Sequence, residues 1–168
     1  MRATLNRLTK IDLSLATGEQ IQKLWDSFRT QDYVFDDTTR DRSEVFLAQL
    51  FAPFSEHFIL GDHIGYVSVY AISRLLNAYV HITIWGKITS HEIIESGNEL
   101  LSYLFTEYEL NRVTAMIPVI NKSGLRLATL FKFKYEGELR KMFLSYGEYY
   151  NVSMYGLLRS EFVGGKRA

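Results

Sequence analysis

The fold of this chain is decided by the stretch AYVHITIWGKITS (Ala78–Ser90), which predicts a strand, a short loop and the first residue of a helix. Apolar residues continue beyond it at helical spacing, and TSHE (Thr89–Glu92) has the S/T-x-x-E form of a capping box. A second strand follows from Val113 to Val119, then a helix led by Asn121, and Glu136-Gly137 reads as a closing turn. A strand, a helix and a strand in this order predict a crossover that joins two parallel strands.

Helices and strands on both sides extend this unit. The predicted strands are Ala3–Thr9, His57–Leu60, Ile64–Ile72, Asn77–Trp85, Val113–Val119, Phe133–Leu144 and Tyr149–Leu158. The predicted helices are Thr17–Arg29, a second that begins at the capping box Asp41-Arg42-Ser43-Glu44, 90–108 and Lys122–Phe131. This order is typical of an α+β fold in one domain, residues 1–168: a central mixed, mostly antiparallel sheet of about seven strands, flanked by about four helices.

Composition limits the classes of function. Hydrophobic residues make up 47% of the 168, which is enough for a packed core, and 19 basic residues balance 19 acidic ones. This balance gives no electrostatic argument for nucleic-acid binding. No apolar run is long enough to span a membrane, so we expect a cytoplasmic protein. The chain has no cysteine, and His57, His63 and His91 lack the spacing of metal ligands; we therefore expect no metal and place these histidines at the surface or in turns.

The segment WGKITSHEI (Trp85–Ile93) resembles the acetyl-CoA loop and helix of the GNAT superfamily of N-acetyltransferases. It is most similar to the branch that includes the ribosomal-protein Nα-acetyltransferases. LNRV (Leu110–Val113) before a strand, Asn121 and FKYEGELR (Phe133–Arg140) resemble the same branch, and the resemblance covers residues 60–162. It implies a GNAT-like fold in which the strands at 78–85 and 113–119 splay apart, and Pro118 suits a place where strand pairing ends.

The resemblance also implies acetyl-CoA as co-substrate. The residues that would hold it are Ile84, Gly86, Lys87, Ile88, Thr89, Ser90 and Asn121. Backbone amides of the loop would bind the pyrophosphate, a backbone N–H near Ile84 would align the acetyl carbonyl, and the Asn121 amide would bond the cofactor or cap its helix. The loop is degenerate, because Ile88 and Ser90 stand where the family has small residues, and an isoleucine at positive φ would be strained. Ala128 stands where many of these enzymes have a tyrosine general acid.

His81 is the candidate catalytic residue. Period-two alternation places His81 on one face of its strand and Val80, Ile82 and Ile84 on the other, apolar face, which we assign to the core. The first face would then line the cleft, where a neutral imidazole can accept a proton from an amine near pH 7. The alternative is a histidine packed under a helix with one hydrogen bond.

These features predict an acetyl-CoA-dependent N-acetyltransferase that acts on an amine: a protein N-terminus, a lysine or a small amine. The altered loop and the missing tyrosine leave open a catalytically silent GNAT-like module with an interaction or structural role. A polyamine acceptor would be favoured if Asp32, Asp36 and Asp37 formed an acidic cleft. The sequence also leaves a homodimer open.

Overall fold

A seven-stranded sheet with four helices forms the described part of the molecule, residues 5–162 of a computed structural model. The elements are β1 Leu8–Lys10, α1 Gly18–Phe28, α2 Ser43–Leu50, β2 Glu56–Leu60, β3 Gly65–Ser73, β4 Asn77–Ile84, α3 Ser90–Glu107, β5 Arg112–Pro118, α4 Lys122–Leu130, β6 Lys134–Ser145 and β7 Glu148–Leu158. The strand order is β1-β2-β3-β4-β5-β7-β6, with β4 and β5 parallel and every other neighbouring pair antiparallel. The predicted α+β architecture is confirmed. None of the described helices is long and apolar enough to cross a membrane.

Two of the helices begin at capping boxes. Thr17 caps α1 together with Gln20, and Thr89 caps α3 together with Glu92, as the capping-box form at Thr89 predicts. The box predicted at the start of α2 is wrong, although the helix does begin there. Its N-cap is Arg42, which makes no side-chain cap bond because a guanidinium has no acceptor atom, and the preceding Asp41 has a left-handed backbone with φ 58°.

The sheet separates two apolar clusters. On one face, α3 packs residues such as Leu104 against Val67 and Val69 of β3. On the other, α1 and α2 contribute Phe28 and Phe46, which pack with Tyr66 of β3. The predicted alternation in β4 is confirmed, because its apolar even-numbered residues belong to the α3 cluster while His81 lies opposite Ser68 on the other face.

Two sequence predictions about strands are wrong in detail. The first described strand is Leu8–Lys10, shorter and later than the predicted Ala3–Thr9, of which Ala3 and Thr4 lie outside the described residues. Glu136-Gly137 is a bulge inside β6 and not a turn: two residues of β6 stand opposite Met154 of β7, and Gly137 at φ 150° lets the strand continue.

Candidate active site

A wedge opens between the parallel strands β4 and β5. They are paired only from Asn77/Arg112 to Tyr79/Thr114 and then diverge. Trp85 N donates to Ile64 O in the β3 direction at 3.0 Å. Because hydrogen-bonding groups alternate along an antiparallel strand, the amides of Ile82 and Ile84 therefore point away from β3 and into the wedge.

The opposite wall of the wedge is β5, whose ladder with β7 continues past the point of divergence. Val119 N donates to Asn151 O at 3.0 Å, which directs the backbone nitrogen of Pro118 toward the wedge. Because proline has no N–H, no backbone donor is left unpaired at that edge. The splay expected from the resemblance is therefore present. Pro118 pairs with Val152 of β7, but it has no partner on the β4 side among the described residues.

A cavity of about 500 Å³ runs through the wedge and reaches both faces of the sheet. The end beside α4 is lined by Val80, Ile82, Ala115, Asn121, Leu127, Ala128 and Phe131. The end beside α1 and α2 is lined by Phe28, Tyr33, Val34, Phe46, Tyr66, Ser68, Tyr70, His81, Met142 and Phe143. The wedge thus connects two chambers, which suits a reaction between two substrates that enter from opposite sides.

His81 lines the second chamber, beneath α1. Its ring meets Phe28 edge-on at 6.2 Å between centroids, and no hydrogen bond joins it to another described residue. Burial lowers its pKa to about 4, so the imidazole is neutral at pH 7 but is a weaker base than an ordinary histidine. Of the four residues on its face of the strand (Tyr79, His81, Thr83 and Trp85), His81 alone is among the described lining residues.

The loop 86–90 leads from β4 to the N-terminus of α3. No residue in it has positive φ, so Ile88 is not strained; its side chain packs against the α3 cluster. Gly86 is required by packing, because a Cβ there would lie 2.6 Å from Ile64 Cβ. Lys87, Thr89 and Ser90 are exposed.

The helix end itself already holds one carboxylate. Thr89 N donates to Glu92 Oε2 at 2.9 Å, and this bond, together with one from the Thr89 hydroxyl, lowers the pKa of Glu92. Arg7 pairs with Glu92 and Glu95 and offsets part of this charge. A pyrophosphate at this end would use the amides of loop 87–90 beside Glu92, so its binding is partly opposed by that charge.

Asn121 caps α4 and lines the first chamber. Its Oδ1 accepts from Gly124 N at 2.9 Å, which fixes the side chain at the helix start. Ala128 lies further along α4, is buried and lines the same chamber. Its methyl side chain cannot donate a proton. The first chamber therefore has apolar walls and one oriented side-chain amide, that of Asn121. At position 128, where many of the enzymes that the sequence resembles have a tyrosine, it has no acid.

Three aspartates considered for an acidic cleft serve the structure of the α1–α2 loop. Asp37 Oδ2 accepts from Gly147 N at 2.7 Å, Asp36 accepts from Thr38 and Thr39, and Asp32 lies 3.4 Å from the Tyr146 hydroxyl. None of the three is among the described residues that line the cavity. Asp32 and Asp37 connect the loop to the β6–β7 turn and Asp36 bonds within the loop, so the three give no support to a polyamine cleft.

The surface position predicted for His57 is wrong. It is 2% exposed, its Nδ1 lies 2.5 Å from the Tyr66 hydroxyl, and burial lowers its pKa to about 4. Period-two alternation in β2 could not show this, because residues on both faces of this short strand are buried. His91 is exposed, as predicted. Among the described residues no group of three or more His, Asp or Glu side chains could hold a metal ion.

Sequence reasoning also missed most of the second chamber. Tyr66, Ser68 and Tyr70 alternate along β3 beside His81, and that spacing was a usable signal. Tyr33 and Val34 lie in a polar loop, and no local pattern marks them as cavity residues.

Comparison with known proteins agrees with this architecture. No family model matches the chain. An uncharacterized N-acetyltransferase p20 of Bacillus licheniformis is 32% identical over 80 residues, which are 48% of this chain and 43% of that protein; the match thus spans less than half of the relative.

Solved structures resemble the chain over nearly its whole length. A chimera of the spermidine N-acetyltransferase SpeG from Vibrio cholerae and hSSAT superposes with a TM-score of 0.74 at 20% identity, covering 94% of this chain and 99% of that one. A probable acetyltransferase gives a TM-score of 0.70 at 20% identity over 96% and 98% of the two chains. With its seven-stranded mixed sheet, four helices and splayed central strands, this chain has the GNAT-like acetyltransferase fold.

Proposed function

We propose that this chain is an acetyl-CoA-dependent N-acetyltransferase that acts on an amine. The observation that carries the proposal is the wedge between β4 and β5, with the amides of Ile82 and Ile84 directed into it and a cavity open to both faces. A wedge of this kind accepts an extended chain along one strand edge and exposes the end of that chain to the opposite chamber.

The residues at the first chamber fit the acyl donor. The amides of β4 would hold an amide-bearing arm, Asn121 and the apolar wall of α4 would enclose it, and the loop 86–90 would meet the phosphates. The donor would supply an activated thioester carbonyl. The amide of Ile84 would orient that carbonyl and stabilise the negative charge that develops on its oxygen.

His81 is the residue proposed to take the amine proton. Because burial holds its pKa at about 4, it stays neutral through the physiological range, yet it cannot remove a proton efficiently from a free alkylammonium group. It is suited to accept the proton after the nitrogen has attacked, when that proton has become far more acidic. The amine must therefore reach the carbonyl uncharged.

The test is release of free CoA from acetyl-CoA in the presence of a panel of amines, read with a thiol reagent. The chain has no cysteine, so every thiol signal comes from product. His81→Ala should lower kcat by about 10- to 100-fold with little change in the KM for acetyl-CoA. His91→Ala, at an exposed histidine, is the matched control and should keep wild-type turnover.

The pH profile separates catalysis from structure. With a pKa of about 4, His81 should cause no loss of rate near pH 6.5, only below about pH 5.

Absence of turnover with every amine, despite binding of acetyl-CoA, would favour the catalytically silent module. Two observations support that alternative: Ala128 has no proton donor, and the low pKa of His81 makes it a weak base.

A further inference from the structure

The second chamber has an aromatic wall built from several elements. Phe28 of α1 packs edge-on against Tyr66 of β3 at 5.0 Å between centroids, and it packs against Phe46 of α2 at 5.6 Å with the two rings tilted by 50°. Tyr70 of β3 and Phe143 of β6 extend the wall on the far side. Flat aromatic surfaces in this arrangement suit the edge or face of another aromatic ring.

The residues described around the chamber carry no charge that could compensate a cation. No Asp, Glu, Lys or Arg is among the described residues that line the cavity, and its titratable groups are His81 and three tyrosines, Tyr33, Tyr66 and Tyr70. Burial lowers the pKa of His81 and raises the pKa of Tyr66 and Tyr70, which favours the uncharged form of each of these groups. An alkylammonium group placed here would lose its hydration without gaining a carboxylate, which disfavours its binding.

Glu56 and Asp37 are already engaged by other partners. Glu56 pairs with Lys10 and accepts from the Tyr103 hydroxyl at 2.9 Å on the α3 side of the sheet. Asp37 accepts from the Gly147 amide at 2.7 Å, in the same α1–α2 loop that contributes Tyr33 and Val34 to the chamber. Neither Glu56 nor Asp37 is among the described residues that line the cavity.

Resting on the proposed function, we propose that the acceptor is an aromatic amine whose nitrogen is uncharged at neutral pH. Its ring would pack among Phe28, Tyr66 and Tyr70, and its nitrogen would face the wedge beside His81. The nitrogen lone pair attacks the thioester carbonyl carbon; a C–N bond forms, the C–S bond breaks and the sulfur leaves as thiolate. The nitrogen then gives one proton to His81, which passes it to solvent or to the thiolate.

The test compares aniline with benzylamine and spermidine as acceptors in the CoA-release assay. Aniline and benzylamine differ by one methylene, but only benzylamine is protonated at pH 7. We expect kcat/KM for aniline to exceed that for benzylamine by about tenfold or more at pH 7, and to stay flat from pH 6.5 to 9. The benzylamine rate should rise by close to tenfold for each pH unit as its neutral form accumulates. A preference for spermidine or benzylamine at pH 7 would overturn the inference and leave the acetyltransferase proposal standing.

A pair of variants locates the effect in the chamber. Ser68→Asp places a carboxylate opposite His81 in the β3–β4 ladder, and Ser68→Asn adds similar bulk without charge. The aspartate should shift the benzylamine-to-aniline ratio at pH 7 at least fivefold toward benzylamine, while the asparagine leaves the ratio unchanged. Equal melting temperatures would show that both variants are folded. An unchanged ratio in Ser68→Asp would overturn the placement of the acceptor here. If acetyl-CoA itself does not bind, it is the proposed function that fails.

Discussion

His57 and His81 lie on the same face of the sheet, and burial keeps both uncharged at neutral pH. The pKa of each is lowered to about 4. His57 contacts the Tyr66 hydroxyl, whereas His81 faces the cavity without a hydrogen bond to another described residue. His57 thus holds the Tyr66 hydroxyl in place, whereas the His81 ring is free to contact a molecule in the cavity. This difference depends on packing between elements, so the local sequence could not predict it.

These two histidines predict acid sensitivity. An unfolded histidine binds a proton near pH 6.5 but the folded ones do so only near pH 4, so the unfolded state takes up more protons and stability falls as pH drops across that window. The full effect, reached only below pH 4, is about 3 kcal/mol for each histidine. Urea denaturation should show a falling free energy of unfolding between pH 6.5 and 5, above the range where most carboxylates titrate.

The control is again a histidine substitution. His57→Gln should reduce this fall by about half, because His81 still contributes, whereas His91→Gln, at the exposed histidine, should retain it in full. If stability stays constant between pH 6.5 and 5 in the unmodified protein, the histidines are not held neutral as the structure indicates.

At the scale of elements, α3 and α4 meet through a glycine. A Cβ on Gly97 would lie 2.1 Å from Phe131 Cζ, so the ring of Phe131 fits directly against the α3 backbone. Phe131 also lines the first chamber, so this contact is part of the wall of the chamber that we propose for the acyl donor. The glycine is therefore kept in a helix interior despite its poor helix propensity.

Gly97→Ala should destabilise the protein by about 1–3 kcal/mol, because the clash with Phe131 outweighs the roughly 1 kcal/mol gained in helix propensity. In a Phe131→Leu background the same change should cost little or become stabilising. Gly18→Ala is a suitable control, since a Cβ at Gly18 meets nothing within 4 Å. Thermal or urea unfolding measures all four variants, and equal costs of Gly97→Ala in both backgrounds would contradict the proposed contact.

Most elements could be predicted because their signals are local. The capping box at Thr89, the period-two pattern of β4 and the strand–helix–strand order each depend on neighbouring residues, and the structure contains them. The resemblance to GNAT enzymes then supplied the sheet arrangement and the splay, which no local pattern contains.

The errors arise where long-range contacts decide. The Glu136-Gly137 pair reads as a turn, but the partner strand β7 keeps it in a bulged strand. Ile88 reads as a strained loop residue, but its side chain has a place in the α3 cluster and its φ is not positive. Tyr33 and Val34 of the α1–α2 loop line the second chamber because of how the chain folds, so no local sequence pattern predicts them as cavity residues.

At the scale of the whole molecule, the sheet separates two layers of helices, and among the described residues the cavity between β4 and β5 connects them. Helices α3 and α4 cover one face, α1 and α2 cover the other, and the wedge between β4 and β5 connects the two chambers. This arrangement can bring an acyl donor and an acceptor together from opposite sides while apolar walls limit water at the junction. The central claim is that the wedge binds the acyl donor.

Calorimetric titration of acetyl-CoA into the protein tests that claim most directly, with Ala115→Phe as the comparison. Ala115 lines the cavity, so the larger side chain should fill the donor end without a buried clash. The account predicts one acetyl-CoA per chain with micromolar affinity for the unmodified protein, and loss of binding in Ala115→Phe at an unchanged melting temperature. No heat at millimolar acetyl-CoA, or equal affinity in the two proteins, would contradict it.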